Sequence, residues 1–315
     1  MTSQPATTPS PLIISIGDLV ADLIVSIPTL PAEAGRHQVA QDIQLEPGGG
    51  ANFLIAGARL GQPMAALGAL GNDDWGRQIT EILQMEGVNM AGVRHSGSTT
   101  LVIVLISRQG DHVFLGKYGH SATIEPRPAD VDLIRRCGAI FCAGYSLAEA
   151  RLVDLALESM RLARRLGRPV FFDPGPQIAS VPTAVRAEAL ALTDTLLLTE
   201  EEIPLLASHV DRLGPPTVVV KQGRRGCTVC QKGAQPVAVP GFPVPVRDTS
   251  AAGDSFNAAY IAATLRGWPP AACARLANAV GAAKVKKLGG GRNVPTLAEV
   301  QAIIDEFHVD LELFL

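Results

Sequence analysis

The residues best able to do chemistry in this chain lie together in Asp248-Thr-Ser-Ala-Ala-Gly-Asp-Ser-Phe-Asn257. An apolar, Pro-punctuated strand-like segment, Val237–Val246, leads into them, and an Ala-rich helical pattern, Ala258–Leu265, follows. The first-turn N–H groups of a helix lack intrahelical acceptors and together carry about half a positive charge. Small residues at Ala251, Ala252 and Gly253 let an anion approach those groups closely. Asp254 adds a carboxylate beside them. Phosphoryl transfer needs this pair of parts: a cradle for the phosphate and a base for the attacking hydroxyl. The same stretch also reads as a capped helix start, with Asp254 satisfying loose N–H donors. Taken alone, it supports both readings.

A second run of small residues, Pro47-Gly-Gly-Gly-Ala-Asn52, opens a helix expected at 51–60. Its glycines let the backbone approach a ligand, and the Asn52 amide both donates and accepts hydrogen bonds. A flexible strand-to-helix loop is the alternative. Lys117-Tyr-Gly-His120 is a polar loop that either lines a pocket or is simply solvated; a cation at Lys117 suits a carboxylate or phosphate on a substrate. Asp73 and Asp74 read as a helix cap rather than a metal site. Cys227-Thr-Val-Cys230 has CxxC spacing, but in a β-like run those positions face opposite sides. No second Cys/His pair completes a zinc site, and five unpatterned cysteines suit a reduced, cytoplasmic protein.

The elements that must position these residues alternate along the chain. A buried strand, 12–16, ends at Gly17-Asp18 and continues with partial alternation through 19–27, past Asp22. Segment 36–45 is polar and alternating, as in a half-exposed strand. Strand 63–70 precedes a helix ending near Glu86, and 99–106 with 111–115 form a hairpin around Arg108. Strands at 139–143, 169–172, 195–198 and 217–220 then alternate with helices at 147–166 and 183–192. Helices at 271–287 and from Thr296 close the chain. This rhythm predicts an α/β fold, a doubly wound, mostly parallel sheet with helices on both faces and a small β-sheet lid. Ligands on such sheets bind at the carboxyl ends of the strands, where Gly17-Asp18, Asp173, Glu200–Glu202, Gly223 and the 248–257 stretch fall.

The 315 residues suit one large domain, 12–315, behind a polar, Pro/Thr-rich tail at 1–11 that reads as disordered. A net charge of −3 offers no basic field for nucleic acid or a membrane surface. No apolar run approaches the length of a membrane span. The chain carries neither GxxxxGK[ST] nor GxGxxG, so a phosphate site must be built another way.

Two stretches together resemble a known family. Asp248-Thr-Ser-Ala-Ala-Gly-Asp-Ser-Phe256 resembles the DTxGAGDxF signature of the ribokinase-like (PfkB) carbohydrate kinases. Gly48-Gly-Gly-Ala-Asn52, running on to Gly61 and Gly68–Gly76, is similar to that family's N-terminal signature. The resemblance implies an ATP-dependent kinase that phosphorylates a hydroxymethyl group of a sugar-like substrate. It implies Asp254 as base and the N–H groups of Ala251, Ala252, Gly253 and Asp254 as the anion hole. Asp22 would bind substrate hydroxyls, with Gly49 and Asn52 in the substrate loop. Glu202 matches the glutamate of an NxxE motif associated with Mg2+ through water. Gly223 and Gly226, after Lys221, match a nucleotide-side turn, and Asn278 falls on the helix flanking adenine. Asp248 and Ser250 occupy the region where some members hold a monovalent cation such as K+. Segments 19–46 and 99–118 correspond to a lid that closes on the sugar and often forms a homodimer contact.

The chain departs from the pattern in four places. Only two residues separate Gly49 from Asn52, Thr199 replaces the Asn of NxxE, and Lys221 replaces a Thr. Val20 and Gly144 stand where ribose-specific members have polar contacts, which favours a sugar or sugar acid in general over ribose itself. A nucleoside kinase would want aromatic side chains in the lid, where only Phe114 and Tyr118 are available. A sugar- or nucleotide-binding protein without turnover is the third reading.

Overall fold

The structure is a computed structural model that describes residues 10–109, 111–119, 123–206 and 214–311. Apart from Ser10 and Pro11, the expected tail lies outside the described residues, as do Gly110 and His120.

One strand organises both layers. β1, Ile13–Ile27, is a single 15-residue strand, where the sequence pattern suggested a break at Gly17-Asp18. Its first half pairs in parallel with β3 (Met64–Leu70) and β7 (Ala139–Ala143). Its second half pairs antiparallel with β2 (Asp42–Gly49) and parallel with β5 (Thr100–Ser107), which in turn pairs with β6 (His112–Lys117). The main sheet and the lid therefore share one backbone. β2 begins later than the alternation at 36–45 predicted, and its register brings Glu46 opposite Asp22.

The main sheet runs β12-β11-β10-β9-β8-β7-β1-β3-β4. β8 (Val170–Asp173), β9 (Thr195–Thr199) and β10 (Thr217–Lys221) continue the parallel order, and β11 (Gly226–Gln231) and β12 (Val237–Pro240) close the edge antiparallel. β4, Asn89–His95, adds an edge strand that the sequence pattern does not announce.

Strand residues of alternate parity enter two cores, as a pleated sheet buried on both faces requires. Ile13, Phe141, Phe171 and Leu197 pack with α1 (Gly50–Arg59), α2 (Asp74–Met85), α7 (Ala252–Leu265), α8 (Pro270–Val285) and α9 (Leu297–Glu306). Ile14, Ile140, Phe172 and Leu196 pack with α3 (Pro128–Arg136), α5 (Val153–Arg165) and α6 (Thr183–Leu192). The helix expected at 147–166 is split: a short α4, Tyr145–Ala148, precedes α5.

Two local expectations hold in detail. Asp73 caps α2, accepting the Gly76 N–H at 2.9 Å. Thr296 and Glu299 form a reciprocal capping box at α9. Cys227 and Cys230 are both free thiols, one buried and one half-buried.

Candidate active site

The N-termini of α1 and α7 converge beside the inner half of the lid. Gly49 caps α1 with φ 57°, ψ −131°, a conformation that only glycine adopts freely. A Cβ on neighbouring Gly48 would fall 2.1 Å from Asp22 Oδ2, so the missing side chain is what admits that carboxylate. Asn52, buried in the first turn of α1, accepts the Gly291 N–H at 2.7 Å through Oδ1. Its amide also lies close enough to Asp254 to lower that carboxyl's pKa.

Asp254 stands in the first turn of α7. Burial, then Asp173, pushes its pKa up to about 6, while Lys221 and Asn52 oppose the rise. Asp22 is pushed up to about 7 by burial, then by Asp254 and Glu46. Each of the two carboxyls is thus held part-way toward protonation, and Asp22 lies within the field of Asp254. A hydroxyl between them would find an acceptor and a base.

The loop before α7 is strained at Ala251, whose φ of 58° lies in the left-handed region. The Ala252 N–H reaches the Thr249 carbonyl at 3.2 Å, so it is engaged within the turn. Those of Gly253 and Asp254 have no acceptor among the described residues. The Ala251 N–H likewise has none, so of the four N–H groups expected at 251–254 only that of Ala252 is engaged, and three are left for an anion. Ala251 sits where DTxGAGDxF has its first glycine, the residue that adopts this left-handed φ freely.

Lys221, at the end of β10, donates to Asp173 Oδ2 at 2.6 Å. Asn257 donates to the same oxygen at 2.5 Å and approaches the Lys221 ammonium at 3.5 Å. The ammonium also lies 3.6 Å from where a Cβ on Gly253 would sit, against the anion hole. Glu202 is buried, and its Oε2 accepts the Thr199 N–H at 2.8 Å. Burial, then Asp173, raises its pKa. Thr199 therefore replaces the expected Asn without releasing the glutamate. No three His, Cys, Asp or Glu side chains among the described residues converge as a metal cage.

On the far side of Gly253 opens a cavity of about 520 Å³, lined by Lys221, Gly223, Gly226, Phe242, Phe256 and Asn278 among others. Asn278 lines it, but its Nδ2 donates to the Val239 and Pro240 carbonyls, each at 3.1 Å. Its amide nitrogen fastens β12 rather than facing a ligand. Gly226 is fixed by space, because a Cβ there would lie 2.2 Å from the Val239 carbonyl oxygen.

Lys117 is not brought to this site. It pairs in register with Leu101 and Ala21, whereas Asp22 shares its row with Val102 and Gly116. Adjacent rows of a pleated sheet face opposite sides, so the exposed Lys117 points away from the Asp22 face. Sequence alternation alone cannot count across strands. The residue it missed is Tyr145. Gly144 has no room for a side chain, since a Cβ would lie 1.8 Å from the Pro174 carbonyl oxygen. Beside it, burial, then the charges of Asp254, Asp173 and Glu202 and the Tyr118 hydroxyl, push the Tyr145 hydroxyl up to about 12. Its position just beyond the end of β7 was the available signal.

Comparison with known proteins shows the family and the fold. A model of the "pfkB family carbohydrate kinase" matches residues 10–297. An ATP-dependent ribose-1-phosphate kinase of Halopiger xanaduensis is 30% identical over 93% of this chain and 98% of its own. A ribokinase of Bacillus subtilis is 28% identical over 92% and 98%. The Arabidopsis thaliana ribokinase solved with ribose and ATP superimposes with a TM-score of 0.81 at 26% identity, over 94% of this chain and 99% of that one. The chain belongs to the pfkB family of carbohydrate kinases, phosphotransferases with an alcohol acceptor.

Proposed function

We propose that the protein transfers the γ-phosphate of ATP to a hydroxyl of a sugar or sugar acid, with Asp254 as the general base. The observation that carries the reading is the meeting of Asp254 with three acceptor-free N–H groups, at Ala251, Gly253 and Asp254 itself. Donors fixed where charge develops act strongly in a water-poor site. The substrate hydroxyl would lie between Asp22 and Asp254, with Gly49 and Asn52 bounding the sugar. ATP would fill the 520 Å³ cavity, its base against Phe242 and Phe256 and its phosphates toward Lys221 and Gly223. Magnesium would arrive with the nucleotide and take most of its ligands from phosphate and water, near Glu202, since no three ligating side chains among the described residues gather as a cage; it would neutralise the phosphate charge.

Asp254 would take the proton as the hydroxyl attacks, and closure of the lid would exclude water. The Ile43, Val113, Phe114 and Leu115 side chains exposed on the lid strands suit pairing with a second copy of the chain.

A nucleoside kinase is the second reading, favoured by Tyr145 and Tyr118 on the acceptor side. ADP release measured across sugars, sugar acids and nucleosides separates the two. Turnover confined to nucleosides would replace the first reading by the second. Saturable binding with no ADP release from any of them would sink both.

A further inference from the structure

Lys284, in the last turn of α8, has no exposed surface, and no other lysine among the described residues is buried. Its ammonium donates to the Lys287 carbonyl at 3.2 Å and feels the charge of Asp248. A buried ammonium is costly unless its charge is used. The seam around it shows the use. The Arg247 and Asp248 N–H groups both donate to the Val285 carbonyl, at 2.7 and 3.3 Å. Asp248 Oδ1 accepts the Ser250 N–H and hydroxyl, each at 2.8 Å, and Oδ2 accepts the Gly289 N–H at 2.6 Å. The strap 247–250, which leads directly into the anion hole, is thus docked on the C-terminal end of α8 and the loop beyond it. Carbonyls at a helix C-terminus and a carboxylate together call for positive charge.

Family resemblance assigns a monovalent cation to this region in some members, through Asp248 and Ser250. The residues present do not fit an added ion. Both oxygens of Asp248 are already bonded, the Ser250 hydroxyl donates to it, and a fixed ammonium already supplies the charge that an incoming cation would have to face.

We propose that Lys284 is a tethered monovalent cation that positions the 247–250 strap, and through it the anion hole, so that this protein needs neither K+ nor Na+. Burial lowers the Lys284 pKa only to about 8, which leaves it charged at neutral pH. The catalytic consequence rests on the kinase reading; the absence of cation binding does not.

The test therefore has two arms. In the first, the ligand-free protein is melted in KCl, NaCl or tetramethylammonium chloride at equal ionic strength. Equal midpoints are expected, because a specifically bound ion would raise the midpoint by mass action. A higher midpoint in KCl than in tetramethylammonium chloride overturns the proposal whatever the activity. In the second arm, ADP release is followed with whichever acceptor turns over. Lys284→Met should lower kcat at least about tenfold with little change in KM, since the anion hole acts on the transition state. Lys284→Ala, which opens the seam, should regain turnover in KCl but not in tetramethylammonium chloride. A Lys284→Met protein with wild-type kcat, or a folded Lys284→Ala protein that K+ does not restore, contradicts the role. Wild-type protein idle on every acceptor would defeat the kinase reading and leave the melting result standing.

Discussion

Asn52 and Asp254 act on one another across the site, the Asn52 amide lowering the Asp254 pKa, although one lies in α1 and the other in α7, two helices before the end of the described chain. With its oxygen held by the Gly291 N–H, the Asn52 amide has only its NH2 to offer, so its orientation is set before any substrate arrives. That amide works against the burial that raises the Asp254 pKa. It keeps the base ionised near neutrality while leaving it basic enough to take a proton.

The pH dependence of turnover should follow from this. A base held near pKa 6 is active when deprotonated, so kcat/KM should fall roughly tenfold per pH unit below that value and be flat above the acidic limb. Asp22, held near 7 within the field of Asp254, couples to it, so the observed value belongs to the pair. A profile flat from pH 5 to 8 (about the range in which such a pair titrates) would contradict the assignment.

Asp22 also predicts a stability effect. Its folded-state pKa, about 7, lies above its ordinary value of 3.8. The stability it confers is full below the ordinary value and is lost as pH rises through about 7. Asp22→Asn should therefore stabilise the ligand-free protein at pH 8 by on the order of 1–2 kcal/mol, a few degrees in Tm, with no gain at pH 4. The same variant should lose acceptor binding. Melting curves at both pH values, with a binding titration, check the two halves together.

Ala251 should be improvable. A left-handed conformation costs an L-residue about 1–2 kcal/mol, partly offset by the extra unfolded-state entropy of glycine. Ala251→Gly should raise stability by up to about 1 kcal/mol in urea unfolding and keep turnover. A lowered midpoint would show that the turn is not strained.

Lys221 is held against the anion hole by Asp173 and Asn257. Lys221→Thr should lower kcat by about 10²-fold, the scale of losing one donor to developing charge. The KM for the acceptor should stay near its original value, because Lys221 lies on the nucleotide side. Steady-state kinetics with both substrates varied would show the split, and a change confined to acceptor KM would refute it.

Much of this was legible in the sequence where burial is two-sided. β7, β8, β9 and β10 are short apolar runs with helical patterns between them, and they emerged as expected. β4 did not, because only Gly92 and Val93 are buried in it and its polar surface hides the alternation. α3 escaped for the same reason, with Asp130, Leu133 and Ile134 as its only buried residues. The site divided along a different line. Asp254, Asn52 and Asp22 lie in motifs whose local chemistry shows in one dimension. Lys117 was misplaced because its facing depends on cross-strand register. Lys284 was invisible because its burial depends on a strap more than thirty residues upstream (about ten turns of helix in length) docking on its own helix end.

The most direct test of the central claim is the turnover of Asp254→Asn. With acceptor and ATP saturating, kcat should fall by about 10²–10⁴-fold while the acceptor still binds, as expected for removal of a general base from an otherwise intact site. Wild-type turnover in a folded Asp254→Asn protein would contradict the claim that Asp254 takes the proton.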